Sequence, residues 1–122
     1  MAVKVARDDT TKRVVAVGEG EFRAKEIVEV MTGLQESGAW GYGIVFDVRR
    51  MSGTTTTADI KPILDLTAPG GVADAGRGPI AIVATGPLYS MACAYATLAK
   101  WERTQVFSDR SEAEQWLRTQ MS

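Results

Sequence analysis

The stretch that decides the fold is Pro79-Ile-Ala-Ile-Val-Ala-Thr85, followed at once by Gly86-Pro87 and then Leu88-Tyr-Ser-Met-Ala92. An unbroken aliphatic run of this length suits a strand covered on both faces, which is the habit of parallel sheets. The glycine ends it, and a proline at a first helical position gives up no hydrogen bond that the helix would have used. Leu88, Met91, Ala92, Tyr95, Leu98 and Ala99 then recur at helical spacing as a buried stripe. A buried strand running straight into an amphipathic helix is the repeating unit of an α/β domain.

Outward from this unit the same grammar recurs. Residues 42–48, Tyr-Gly-Ile-Val-Phe-Asp-Val, are a second buried strand, read as ending before Arg49-Arg50-Met51-Ser52-Gly53 and a threonine tract, Thr54 to Thr57. Between the two strands, Pro62 fixes the start of a helix, with Asp59 as its N-cap and Ile60, Ile63, Leu64 and Leu66 inward. Residues 68–78 read as loop. Toward the amino end, residues 2–7 and 13–17 flank the polar turn Asp8-Asp9-Thr10-Thr11-Lys12 as a β-hairpin, with Gly18 and Gly20 as punctuation. Phe22, Ala24, Ile27, Val28, Met31 and Leu34 then share one helical face, and Gly38 stops that helix. Toward the carboxyl end, Gln105-Val106-Phe107 is a short strand. The last helix carries Ser111 and Glu114 at capping-box spacing, and its apolar face is Ala113, Trp116, Leu117 and Met121. The order ββαβαβαβα implies one α/β domain over residues 1–122, a mixed sheet whose carboxyl-terminal portion is parallel and flanked by helices.

Composition bounds the function. Hydrophobic content of 45% and charged content of 24% describe a globular chain. Fourteen basic and fifteen acidic residues leave a net charge of −1, without the basic stripe that nucleic acid demands. The chain has no histidine, which removes the commonest general base and the commonest catalytic metal ligand. Its one cysteine, Cys93, cannot form an internal disulfide and reads as a small hydrophobe on its helix. No metal set and no cofactor motif is found. Gly18-Glu-Gly20 lacks the further glycine and the lysine–serine pair of a phosphate loop. No stretch approaches a membrane span and no apolar leader opens the chain, so a cytoplasmic location is expected.

Three stretches carry a family resemblance. They are Tyr42-Gly-Ile-Val-Phe-Asp-Val-Arg-Arg50, the run from Gly78 to Ala92, and Val106-Phe-Ser-Asp-Arg-Ser-Glu-Ala-Glu-Gln-Trp-Leu117. In this order they resemble the STAS superfamily of anti-sigma-factor antagonists, and more narrowly its STAS/SEC14-like bacterial branch. The resemblance implies the STAS-like fold and a regulatory role. It does not bring the phosphorylation switch, because no serine opens the helix after residues 42–48 as the Asp-Ser-Ser-Gly-like motif requires. Ser52 lies too early, and the threonines nearer that helix do not match the motif.

In open α/β sheets ligands gather outside the carboxyl ends of the strands. That edge holds Asp47 and Arg49 (with Arg50) after one strand, and Thr85, Gly86 and Tyr89 after the next. Helix amides and an arginine there suit a small anion or carboxylate. Equally, Asp47 can pair with Arg49 or cap a helix, Gly86-Pro87 can be only a turn, and Tyr89 can pack. Trp40, Trp101 and Trp116 can line an apolar pocket, or close the core at element ends. Three functions follow. The first is a non-catalytic module that contacts a partner protein or a small ligand. The second is a carrier of small apolar molecules or lipid with an internal pocket. The third is a small enzyme using Asp47, Arg49 and Tyr89. A homodimer is compatible with the hairpin edge strand.

Overall fold

The computed structural model describes residues 2–52, 57–67, 78–98 and 103–121. Its elements are β1 (Ala2–Asp8), β2 (Arg13–Glu21), α1 (Ala24–Glu36), β3 (Gly43–Ser52), α2 (Thr57–Thr67), β4 (Ile80–Val83), α3 (Pro87–Leu98), β5 (Thr104–Phe107) and α4 (Arg110–Met121). The five strands form one sheet in the order β1-β2-β3-β4-β5. β1 and β2 are the antiparallel hairpin, and every later pair is parallel.

Because the strand order never reverses, right-handed crossovers carry α1, α2 and α3 to the same face. α4 follows the last strand and covers the other face. Side-chain alternation divides the core accordingly. On the three-helix face Val14, Ala16, Ile44, Phe46 and Ile80 meet Ile27, Met31 and Leu34 of α1, Ile60 and Ile63 of α2, and Leu88, Ala92 and Tyr95 of α3. On the α4 face Val45, Ala81 and Val83 meet Ala113 and Leu117. The two aliphatic runs at 42–48 and 79–85 imply adjacent parallel strands buried on both sides. β3 and β4 are such a pair, with Val45 inaccessible and Ile82 half-buried.

Several local expectations need correction. β3 does not stop at Val48 but continues to Ser52, and β2 runs through both of its glycines to Glu21. The register steps from Val17↔Asp47 to Glu19↔Arg50, so β3 carries one extra residue opposite Gly18. That bulge reverses the alternation and turns Met51 into the three-helix core. Gly18 makes room for it, since a Cβ there would sit on the Met51 methyl. α2 begins at Thr57, so Asp59 lies in its first turn rather than at its cap, and Pro62 stands inside the helix. Proline has no N–H, so the carbonyl of Ala58 loses its helical partner. The start of α4 is capped by Asp109, whose Oδ1 accepts the amides of Ser111 at 2.6 Å and Glu112 at 3.4 Å. Ser111 therefore stands two residues past the cap, and the Ser111–Glu114 pair is not a capping box. β4 is also shorter than expected, ending at Val83.

The tryptophans divide as well. Trp40 is buried in the three-helix core. Trp116 is half-buried on the other face, its ring 5.8 Å from that of Phe107. Trp101, Thr54 to Thr56, the expected loop at 68–77, Ala99 and the side chains of Leu64, Leu66, Leu98 and Met121 fall outside the described residues.

Candidate functional site

The five residues singled out at the strand ends do not form one cluster. Asp47 points to the α4 face and is nearly inaccessible. Its Oδ1 accepts the Arg49 backbone N–H at 3.1 Å and Nε at 3.0 Å, and its Oδ2 accepts Nη2 at 2.8 Å. This fork leaves Arg49 neutralised and partly exposed. Burial disfavours the Asp47 carboxylate, yet the guanidinium, the backbone N–H and the charge of Arg49 outweigh it. They hold the carboxyl below its ordinary value. Arg110 and Asp109, at the start of α4, act on the same pair. Arg50 is occupied too, by Glu19 at 3.1 Å.

Thr85 and Gly86 are exposed after β4, Gly86 at a φ of +63°. Tyr89, 40% exposed, stands on α3, across the sheet from Asp47 and Arg49. α2 and α3 leave β3 and β4 toward the same face, so neighbouring connections do not part between these two strand ends. Neighbouring connections part only after β4 and β5, where the amides that open α4 are already taken by Asp109.

The sheet's opposite edge has a polar knot that the sequence did not betray. Tyr42 donates its hydroxyl to Asp9 at 2.6 Å, and Arg7 donates Nε to the same Asp9 oxygen at 2.6 Å. Arg7 also reaches the Ser37 carbonyl at 3.0 Å. Arg7 and Lys12 flank the Tyr42 ring at 5.2 and 5.3 Å. Tyr42 and Arg7 lower the Asp9 pKa. The knot ties the hairpin turn to the entry of β3, and the polar tips of Arg7, Asp9 and Tyr42 are spent on one another.

A half-open apolar pocket with a cavity volume of ≈70 Å³ lies between the sheet and the three helices on its face. β3 contributes Phe46 and Val48, β4 contributes Ile80 and Ile82, and Ile27 and Met31 come from α1. Ile60 and Ile63 of α2 line it, as do Leu88, Met91, Ala92 and Tyr95 of α3, with Phe22 ahead of α1. Among the described residues the wall is hydrocarbon and thioether but for the Tyr95 phenol. Of the three tryptophans that could line a pocket or close the core, Trp40 and Trp116 do not line it, and Trp101 lies outside the described residues. Each apolar stripe marks its lining residues as core, but no stripe reveals the gap among them. The one signal is the small Ala92, at a position where the stripe has room for a large residue.

Comparison with solved structures fixes the architecture. An uncharacterized protein of the DUF3478 family from Shewanella loihica PV-4, which has a SpoIIAA-like fold, superposes with a TM-score of 0.61. The match covers 95% of this chain and 92% of that one, at 21% sequence identity. The chain has the SpoIIAA-like fold. This is the STAS-like architecture that the sequence resemblance implied. No family model and no curated protein matches the chain. In this STAS-like domain β3 closes on Ser52, whose carbonyl accepts the Phe22 amide at 3.0 Å, and α2 opens on Thr57. Ser52 therefore belongs to the sheet and not to a helix start. Among the described residues no helix is long and apolar enough to cross a membrane, and no acidic, cysteine or histidine group is placed to hold a metal.

Proposed function

We propose that this STAS-like domain is a non-catalytic binding module whose ligand is the end of a small aliphatic chain held between the sheet and α1–α3. The cavity carries the reading. Voids in protein cores are few and small, and a void large enough for ligand carbon lowers stability unless something fills it. A hydrocarbon void that stays dry takes apolar guests. One of ~150 Å³ accepts a benzene ring. At ≈70 Å³ this one suits the narrow end of an unbranched chain better than a ring. Met31 and Met91 supply unbranched, adaptable walls that can yield as a chain enters.

The wall also argues for binding without chemistry, because bond making needs polar groups at the reacting atoms and, among the described residues, the lining offers one phenol. The strand-end residues support an anion less well, since Asp47 and Glu19 already neutralise Arg49 and Arg50. Occupancy would fix the packing of α1, α2 and α3 against the sheet. That couples the ligand to the outer surface of those helices and gives a regulator something to report.

The test is a titration with straight-chain alkanols of increasing length, with indole as a bulky comparison, followed through side-chain methyl resonances. Saturable shifts at Ile63, Ile82 and Met91, strongest for the linear probes, are expected. Shifts confined to surface methyls, or no saturation, would remove the cavity as a binding site.

A further inference from the structure

We propose that the free edge of β1 pairs antiparallel with β1 of a second copy of this chain, in the register that sets Lys4 opposite the partner's Asp8. This rests on the sheet edge and is independent of what the cavity holds. Among the described residues β1 is the terminal strand and is hydrogen-bonded only to β2. It runs for seven residues with no proline, and its pairing to β2 is continuous from Ala2 to Asp8 with no bulge. Natural sheets usually shorten, bulge, cover or charge such an edge, because its unpaired backbone groups recruit another strand, and of these devices β1 carries only charge, of both signs. The opposite edge, β5, has four residues and is flanked by helices.

Charge selects the occupant. Lys4 and Asp8 lie four residues apart, so they share one face of the strand. Both are exposed, and neither forms a salt bridge among the described residues. Asp8 accepts the amides of Thr10 and Thr11 at 2.9 and 3.2 Å, which keep it ionised without neutralising it. A two-fold axis at Ala6 then sets each Lys4 against an Asp8 and each Val5 against the partner's Arg7. Val5 is one of two large apolar side chains left exposed among the described residues, at 46%. The aliphatic stem of Arg7, whose head is already held by Asp9 and Ser37, would cover it. A basic or acidic foreign strand could satisfy only one of the two charges, whereas a second β1 satisfies both twice.

The register makes a test that other dimers would fail. Wild-type protein is expected to dimerise reversibly, seen by sedimentation equilibrium up to about millimolar concentration at low salt. Lys4→Glu sets a carboxylate against each Asp8, and Asp8→Lys sets an ammonium against each Lys4. Each alone should dimerise at least ten-fold more weakly, since like charges directly opposite are destabilising. Mixing the two should restore dimer, because every pair is then matched in the mixed species. A wild-type chain that stays monomeric overturns the proposal. So does a Lys4→Glu variant that dimerises unchanged, or a mixture of two folded variants that remains monomeric. If loss of the turn contacts unfolds Asp8→Lys, amide exchange of the wild type decides. β1 amides should gain protection as concentration rises, and their indifference to concentration refutes the pairing.

Discussion

Replacing Ala92 by leucine should raise stability and abolish probe binding together. Ala92 sits on α3 with its side chain in the cavity wall, so added carbons enter the void rather than displace packed neighbours. At about 24 cal/mol per Å³ for an enclosed void, the ≈70 Å³ of this half-open pocket withholds at most about 1.7 kcal/mol from the folded state. Three added carbons gain at most about 2.4 kcal/mol of transfer energy, and fixing a leucine rotamer returns roughly 0.5–1 kcal/mol. A net gain of about 1–1.5 kcal/mol is expected, and leucine costs the helix little. For a domain of this size that is a rise of about 4–6 °C in Tm. Urea unfolding should show a higher midpoint at constant slope, and the alkanol shifts at Ile63 and Met91 should vanish. A leucine variant that loses more than about 1 kcal/mol, as overpacked cores do, would mean the void is too narrow or misplaced. One that is stabilised and still binds the alkanols would mean the probe sits elsewhere.

Two glycines should respond oppositely to alanine. A Cβ on Gly78 would collide with the carbonyl oxygens of Tyr42 and Gly41. Gly78→Ala should therefore strain the Gly78–Trp40 and Ile44–Pro79 hydrogen bonds and cost about 2–4 kcal/mol by urea unfolding. Gly33→Ala, inside α1 with nothing within 4 Å, should gain about 0.5–1 kcal/mol. Asp109→Ala should lower stability by about 1 kcal/mol through its cap, while Ser111→Ala should change little, a contrast that thermal melts would resolve. Asp47 has a folded pKa below its unfolded value of about 3.9. Its stabilisation is complete above that value and is lost as pH falls through the folded pKa. Asp47→Asn should be less stable than wild type at neutral pH, and the gap should close as pH falls below the ordinary carboxylate range. A gap independent of pH would show that the Arg49 pair contributes nothing through charge.

The sheet was legible because its strands differ in kind. Ile44 to Val48 and Ile80 to Val83 are apolar on both sides and can only be central, whereas Lys4, Arg7 and Asp8 mark β1 as an edge. The element order and the parallel crossovers follow from that contrast. The ends of the elements were less legible. Arg49 and Arg50 read as a strand terminus because both are charged, but a bulge opposite Gly18 lets two consecutive residues face outward without ending the ladder. Pro62 read as a helix start because that is where proline costs nothing, yet the burial of Ile60 and Ile63 holds α2 together despite the missing bond. Local propensity yields wherever packing contributes more.

The site was least legible, for a related reason. Periodicity reports one face of one element at a time, so Ile27, Ile63, Phe46 and Ala92 each register correctly as inward. A cavity is a property of the distance between four such faces, and no single stripe encodes it. The strand-end residues show the converse. Asp47, Arg49 and Tyr89 are close in element order, but alternation sends the first two toward α4, and the helix carrying Tyr89 crosses on the other face. Shared position along the strands therefore does not bring side chains together. Only the face to which each connection crosses does, and here all three parallel crossovers choose the same one. That choice stacks three helices side by side on one surface, and the apolar pocket lies between them and the sheet.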